Sequence, residues 1–458
     1  MTVSALWRAG SALALVAVLT ACAAQETGRR GPAAAPLPDV AMRLPTTQPA
    51  PPRRPNAQMG RDYLDLVFAL ENGREVPGLT RYEGPVTVSL EGPVPATARH
   101  DLAALLARLR AEAGIDIREA PTDGTIRVIF LPRSTMQSRV PSAACFVVPD
   151  VTSWRDYLRA RGSDRIDWAS LGARGKAAVF VPSDTAPQEV RDCLHEEIAQ
   201  ALGPLNDLYR LSDSIFNDDN FHGTLTGFDM LMLRLHYARE LRNGMSRAEA
   251  AQAVPRALHR LNPRGGPVGT LPERFSDDTP RRYIDDIETA LGGPRDSGRR
   301  SAAVDAAGLA LAMGWQDNRT AFALYSLGRL TLAEAPEKAV AALAGAAAIW
   351  ASEGARVQVA HVDLYVAGLA LQTDAPDEVI TLADRALPVA RAEGNAALVA
   401  SFLAMKAAAL ERMGDAAGAR GLRLDSAGWA RYGFGSQAAD RLADIAELRP
   451  GPAGGAAR

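Results

Sequence analysis

An α+β domain followed by an all-α array of helical repeats is the fold class this sequence predicts. Three observations predict it. In the first half, short runs alternate apolar with polar residues between helix-length segments. Two of those segments open on helix-capping signatures. The second half is Ala-rich and resembles itself at an offset of forty residues.

The first half starts with a helix over 61–71, with Tyr63, Leu64, Val67 and Phe68 on one face. In "GPVTVSLEG", Val86, Val88 and Leu90 alternate as a strand, and a long helix over 96–113 follows. "TIRVIFL" alternates in the same way, and 145–148 and "KAAVFVP" add two short strands. Next comes "CLHEEIAQALGPLND" (193–207), a polar helix ended by Gly203, where a left-handed residue is expected. Thr226 with Asp229, and Ser246 with Glu249, are spaced as capping boxes for helices over 228–242 and up to about 261. This order makes a small sheet with helices packed on it, over 58–262. "NPRGGPVGTLPERFSDDTP" breaks the pattern with Pro and Gly, so 263–280 reads as a linker.

In the second half, "LYSLGRLTLAEAPEKAV" from Leu324 aligns with "LYVAGLALQTDAPDEVI" from Leu364. Gly314, Gly354 and Gly394 stand forty residues apart, and "WARYG" closes the series at Gly433. Each unit reads as helix, turn, helix and terminal glycine, with Gly328, Gly368 and Ala408 where helices approach closely. Over 281–445 the pattern resembles tetratricopeptide-like repeats. Such arrays present long concave faces, so a protein partner is expected there. An independent array implies that this fragment folds alone. Residues 446–458 read as a disordered tail.

The beginning of the chain sets the expected location. Trp7-Arg8 and the apolar run 11–20 have signal-peptide length, too short for a membrane span. Leu19-Thr20-Ala21-Cys22 resembles the lipobox of bacterial lipoproteins, which implies a signal peptide over 1–21 and lipidation of Cys22. Ala23 after it, by resemblance to lipoprotein sorting rules, favours the outer membrane, with the protein facing the periplasm. The stretch 22–57 is rich in Pro, Ala and Arg and reads as a tether. There are three cysteines. With Cys22 lipidated, Cys145 and Cys193 remain as one disulfide pair in an oxidising compartment. A formal net charge of −2 with no basic stripe argues against a nucleic-acid partner.

The polar helix carries the chemistry. From His195, a zinc-peptidase frame lacks its second histidine, because Ala199 stands there. One residue later, the longer metzincin pattern His-Glu-x-x-His-x-x-Gly-x-x-His fits in spacing. Glu197 falls on the general base and Gly203 on the turn glycine, while Glu196, Gln200 and Asn206 fall on the three zinc ligands. Ser214-Ile215-Phe216 stands where metzincins carry Ser-Ile-Met, and "LTGFDMLMLRLHY" where a capped helix follows. Over 60–260 the chain resembles the domain-of-unknown-function 2927 family of proteobacterial lipoproteins. The residues that carry this are "YEGPVTVSL", "CLHEEIAQALG", "SIFNDD" and "LTGFDMLMLR". What the two resemblances imply is a metzincin-like fold whose zinc ligands are replaced.

A carboxylate and two amides are poor zinc ligands, and this oxygen set suits calcium or manganese better. His195, Asp213, Asp218, Asp219 and His222 lie nearby in sequence. Val190, Leu194, Ile198 and Ala201 form the expected buried stripe of the helix, with His195 at its surface or behind the site. The expectation is a non-catalytic domain without a cofactor, anchored by lipid and joined to a partner-binding array. Two rivals differ in class. A metal-dependent hydrolase would use Glu197 as base with unconventional ligands. A structural lipoprotein would contact the cell wall.

Overall fold

A computed structural model describes Leu44 and residues 51–446, apart from 142, 219 and 293–295. The signal segment, Cys22, Asp219 and the tail beyond 446 therefore lie outside the described residues. The described residues reach into the expected tether. Arg54 pairs with Asp62 and with Asp213, and helix α1 (Asn56–Val67) starts two residues later.

The first part then runs β1 (Val86–Glu91), α2 (Ala98–Arg108), β2 (Ile117–Glu119), β3 (Ile126–Leu131), α3 (Arg133–Gln137), β4 (Phe146–Pro149), α4 (Trp154–Ala160), β5 (Ala177–Pro182) and α5 (Pro187–Leu202). The strands form one mixed sheet in the order β2-β1-β3-β5-β4. Only β4 is antiparallel to its neighbour, pairing Val147 with Val179 at the sheet edge.

Because side chains alternate across a strand, the sheet builds two cores. Ile126, Val128 and Phe130 of β3 and Val179 and Val181 of β5 enter the larger core, with Tyr63, Leu105 and Leu194 from α1, α2 and α5. Ile129, Leu131 and Phe180 face the other way, onto Met136 of α3 and Tyr157 of α4. Phe146, Trp154, Tyr157 and Phe180 interlock there, with ring centroids 5.1–6.4 Å apart. Strand β5 is buried along its whole length, which is why it reads as a continuous apolar run.

Both predicted capping boxes form, at Thr226/Asp229 and Ser246/Glu249, opening α6 (Gly227–His236) and α7 (Arg247–Leu261). Helix α6 stops at His236 rather than at 242. Arg81 Nη1 donates to the carbonyls of His236 (2.9 Å) and Ala238 (3.1 Å), satisfying the end of the last turn. The stretch 263–280 is held against the body. Leu271 enters the larger core, Ser276 Oγ donates to Asp65 (2.6 Å), and Asp277 pairs with Arg210.

The second part is helical throughout its described length: α8 (Arg281–Gly292), α9 (Asp296–Ala312), α10 (Asn318–Thr331), α11 (Pro336–Glu353), α12 (Arg356–Gln372), α13 (Pro376–Ala392), α14 (Ala396–Arg412), α15 (Ala416–Phe434) and α16 (Ala438–Ala446). Gly314, Gly354 and Gly394 all have φ between +64° and +74°, the left-handed turn read from their spacing. Gly433 differs. It lies inside α15, where an added Cβ would stand 2.4 Å from the Ala397 nitrogen. Its role is close helix approach, and Gly435 (φ +57°) follows the helix instead. Gly328 is also tightly packed, against Leu343, whereas Gly368 has only ordinary contact with Met405.

The two parts share side chains. Tyr209 and Phe221, from the loop after α5, belong to the core of the helical array with Phe322, Tyr325 and Trp350. The Phe221 ring lies 5.2–5.7 Å from those three rings and 4.4 Å from His361. Further along the array, Arg191 donates to the Gly394 carbonyl, the Ala397 N–H donates to Gln188, and Tyr432 Oη donates to Asp101 (2.9 Å).

Candidate functional site

Helix α5 is buried on nearly every side, not along one stripe. Its carbonyl end is closed by Arg174, whose guanidinium donates to the carbonyls of Ala201 (2.7 Å) and Gly203 (2.6 Å). The same group stacks 4.6 Å from the Trp168 ring, and burial brings its pKa down to about 10.

Gly203 ends the helix as expected, but for a different reason. Its φ is −168°, extended rather than left-handed. An added Cβ would lie 2.8 Å from Cδ2 of His236. That ring cannot give way, because Tyr63 Oη (3.0 Å) and the Thr80 carbonyl (3.0 Å) hold its two nitrogens.

Of the two places open to His195, at the surface or behind the site, the structure gives the buried one. Its Nδ1 accepts the Leu225 N–H at 3.0 Å, and burial with Arg191 and Arg108 nearby pushes its pKa well down. It is a neutral acceptor that holds the loop before α6. Glu196, Gln200 and Asn206 are all buried. Asn206 points its amide to the Asp65 carbonyl (3.1 Å). Ser214-Ile215-Phe216 packs inside the larger core: Ser214 Oγ (2.6 Å) and the Ile215 N–H (3.2 Å) donate to Asp229, the capping residue of α6. Tyr237, at the end of α6, donates to the Leu202 carbonyl.

Zinc does not fit this donor set. One of the three positions is an amide committed to the backbone of α1, and His195 is committed to Leu225. Among the described residues no three His, Cys, Asp or Glu side chains are placed to hold a metal ion.

Glu197 instead meets other acids. It is 2 % exposed and accepts the Val147 N–H of edge strand β4. Glu71, Asp207 and Asp218 gather beside it. Burial, and then the charges of its neighbours, push Glu197 and Asp207 well above the usual carboxylate range, and Asp218 up to about 7. Glu71 reaches Asp207 as a hydrogen-bond partner, a contact two carboxyl groups make only with a proton between them. Among the described residues Glu197 Oε2 has no hydrogen-bond partner, while Asp207 has the carboxyl group of Glu71. Asp218 accepts from Tyr209 Oη at 3.3 Å and feels Glu288 and Arg281 of α8, so the cluster adjoins the helical array. Sequence reasoning missed Asp207 and Glu71. Asp207 directly follows a ligand position and was visible as an acid there; Glu71, on a distant turn, gave no signal.

His222 stands apart from this cluster. Its Nδ1 lies 3.3 Å from Glu393 of the array, and its Nε2 3.1 Å from the Ser212 carbonyl. Burial lowers its pKa, but the Glu393 carboxylate and that carbonyl outweigh burial, and the net shift is upward. A raised folded-state pKa stabilises fully below the unfolded value of about 6.5 and is lost as pH rises through the folded value. The 212–225 loop should therefore loosen from the array as pH climbs above about 6.5. Faster amide exchange in that loop at higher pH, beyond the intrinsic rate, is the expected reading, and His222→Gln should abolish the dependence.

Cys145, at the start of β4, and Cys193 of α5 form a disulfide with Cα atoms 6.0 Å apart. It fixes the edge strand to the helix beside Glu197. A mixed sheet, a buried polar helix and two capped helices, followed by packed helices, define the class: an α+β domain joined to a helical array. Residues 56–256 match the family model described as a protein of unknown function, DUF2927. The match supports the resemblance read from the sequence and stops short of the array. No curated protein and no solved structure matches the chain. No helix among the described residues is long and apolar enough to cross a membrane.

Proposed function

We propose that this is a lipid-anchored cell-envelope protein whose metzincin-like domain binds without cleaving, and whose tetratricopeptide-like repeats take a protein partner. The observation that carries the reading is the fate of the base position. Glu197 is enclosed by other carboxyl groups and a strand N–H, and the ligand positions around it supply no imidazole. A metal-activated water has no nitrogen ligands to form on there. The disulfide fits an oxidising compartment, in keeping with an outer-membrane lipoprotein facing the periplasm. A cleft of about 220 Å³ between α11, α12 and α13, apolar at Val359, Ala386 and Val389 and rimmed by Arg356 and Arg385, supports partner binding on the array.

Two measurements test the reading. Metal analysis of the purified protein should find no stoichiometric zinc, and wild type and Glu197→Gln should be equally inactive on peptides. Stoichiometric zinc with chelator-sensitive cleavage that Glu197→Gln slows about a hundredfold would restore the hydrolase. Cys22→Ser should abolish labelling by a fatty-acid analogue and release the chain from membranes; persistent labelling would remove the anchor from the proposal.

A further inference from the structure

From Arg234 to Arg264 the chain holds seven arginines and two acids, although the whole protein carries a net charge of −2. They form no run in the sequence; the hairpin of α6 and α7 brings them together. Two are accounted for inside the protein: Arg247 pairs with Asp65 (2.6 Å), and Arg242 with Glu249 (3.5 Å). Arg234, Arg239, Arg256, Arg260 and Arg264 remain, with only Glu240 of the segment's acids left to offset them.

These five lie close together. Glu240 contacts Arg260 (2.6 Å) and Arg239 (3.6 Å) at once. Arg234 Nη2 donates to the Leu261 carbonyl (3.2 Å), and burial, then the Arg260 charge, lowers its pKa. Arg256 stands one helical turn before Arg260 on the same side of α7, and Arg264 follows on the short turn Pro263–Gly265. Both are exposed, and among the described residues neither has an acidic partner. The dipole of α7 favours a cation in its last turn, which accounts for Arg260 and leaves Arg239, Arg256 and Arg264 without a structural task. Like charges gathered in this way repel one another, and an anionic surface relieves them.

The tether joins the body at the same place. Asn56 Nδ2 donates to the carbonyls of Asn262 and Gly266 (both 2.9 Å), which flank Arg264. A chain anchored through Cys22 therefore enters the folded body beside these arginines. We infer that the face formed by Arg239, Arg256, Arg260 and Arg264 docks on the anionic phospholipid headgroups of a membrane surface. Guanidinium groups meet phosphate oxygens through charge and paired hydrogen bonds. Each arginine brought to an anionic bilayer strengthens binding about fivefold. The lipid holds the protein at the membrane, and the face sets which way the body lies on it. The inference rests on the proposed lipid anchor for its choice of a membrane over another polyanion.

Vesicle co-sedimentation of the full chain carrying Cys22→Ser tests the face without the lipid. Vesicles of phosphatidylcholine with about one third phosphatidylglycerol should bind at least about tenfold more tightly than phosphatidylcholine alone, and salt at about 0.5 M should remove the difference. An apolar segment binds both kinds of vesicle alike, so the difference between them reads charge. Arg256→Glu/Arg264→Glu should erase the preference, whereas Arg256→Lys/Arg264→Lys should keep it. Lys338→Glu/Arg420→Glu, the same change of charge at exposed positions of the array, should keep it too. Equal binding to both vesicles, an unchanged preference in the Arg256/Arg264 glutamate variant, or an equal loss in the array variant would each overturn the inference. Binding of a DNA duplex without any vesicle preference would overturn it as well, in favour of a nucleic-acid face. Fatty-acid labelling that survives Cys22→Ser removes the anchor and leaves a vesicle preference of this face standing. A labelled wild type with no such preference sinks this inference alone.

Discussion

Gly203→Val is expected to destabilise the protein by about 3 kcal/mol, the scale of overpacking a tight core site. The cause is the His236 ring, 2.8 Å from where the new Cβ would stand and held from both sides by Tyr63 and Thr80. Gly203→Ala should already show most of the loss, because the first added carbon makes the clash. Urea unfolding of both variants measures it. A midpoint close to wild type would mean that the ring can move, and the steric account would fall. Had the residue been left-handed, as the sequence suggested, Asn would be the mildest replacement. With φ at −168°, Asn should be no better than Ala.

Loss of the Cys145–Cys193 bond is the other large effect. The bond closes a loop of 48 residues in separation, so removing it should cost about 4 kcal/mol by chain entropy. Cys145→Ser/Cys193→Ser should also free β4 to part from α5, exposing the Val147 N–H that now serves Glu197. Unfolding the wild type with and without reductant gives the same comparison without mutation. Equal midpoints would show that the bond contributes nothing to the native state.

Much of this architecture was legible because it depends on short-range pattern. Val86, Val88 and Leu90 declare a strand by alternation, and Thr226/Asp229 a helix start by spacing. The three-residue strand β2 and the short helix α4 carry too few residues for periodicity to register. Long-range contacts were not legible at all. Nothing near Gly203 announces a ring from residue 236, and nothing in the turn at Glu71 announces Asp207. Whether His195 lay at the surface or behind the site was not legible, because its burial comes from Leu225 and the loop before α6. Glu197 was legible as a position and not as an environment: spacing located it, while its acidic neighbours arrive from the turn at Glu71 and from the loop after α5.

The helical array touches the first part at several places, through Phe221 toward α10 and α11, through Gly394 after α13, and through Tyr432 on α15. Open solenoids tolerate gain or loss of a unit because only neighbours feel it. Here the array is fastened at successive points along its length, at Phe221, at His222 with Glu393, at Arg191 with Gly394 and at Tyr432. Duplicating one forty-residue unit would carry Tyr432 away from Asp101 while Phe221 stayed in place, so the number of units in this protein is fixed by its fit to the sheet domain. Length variation, the usual freedom of repeat proteins, is closed to it.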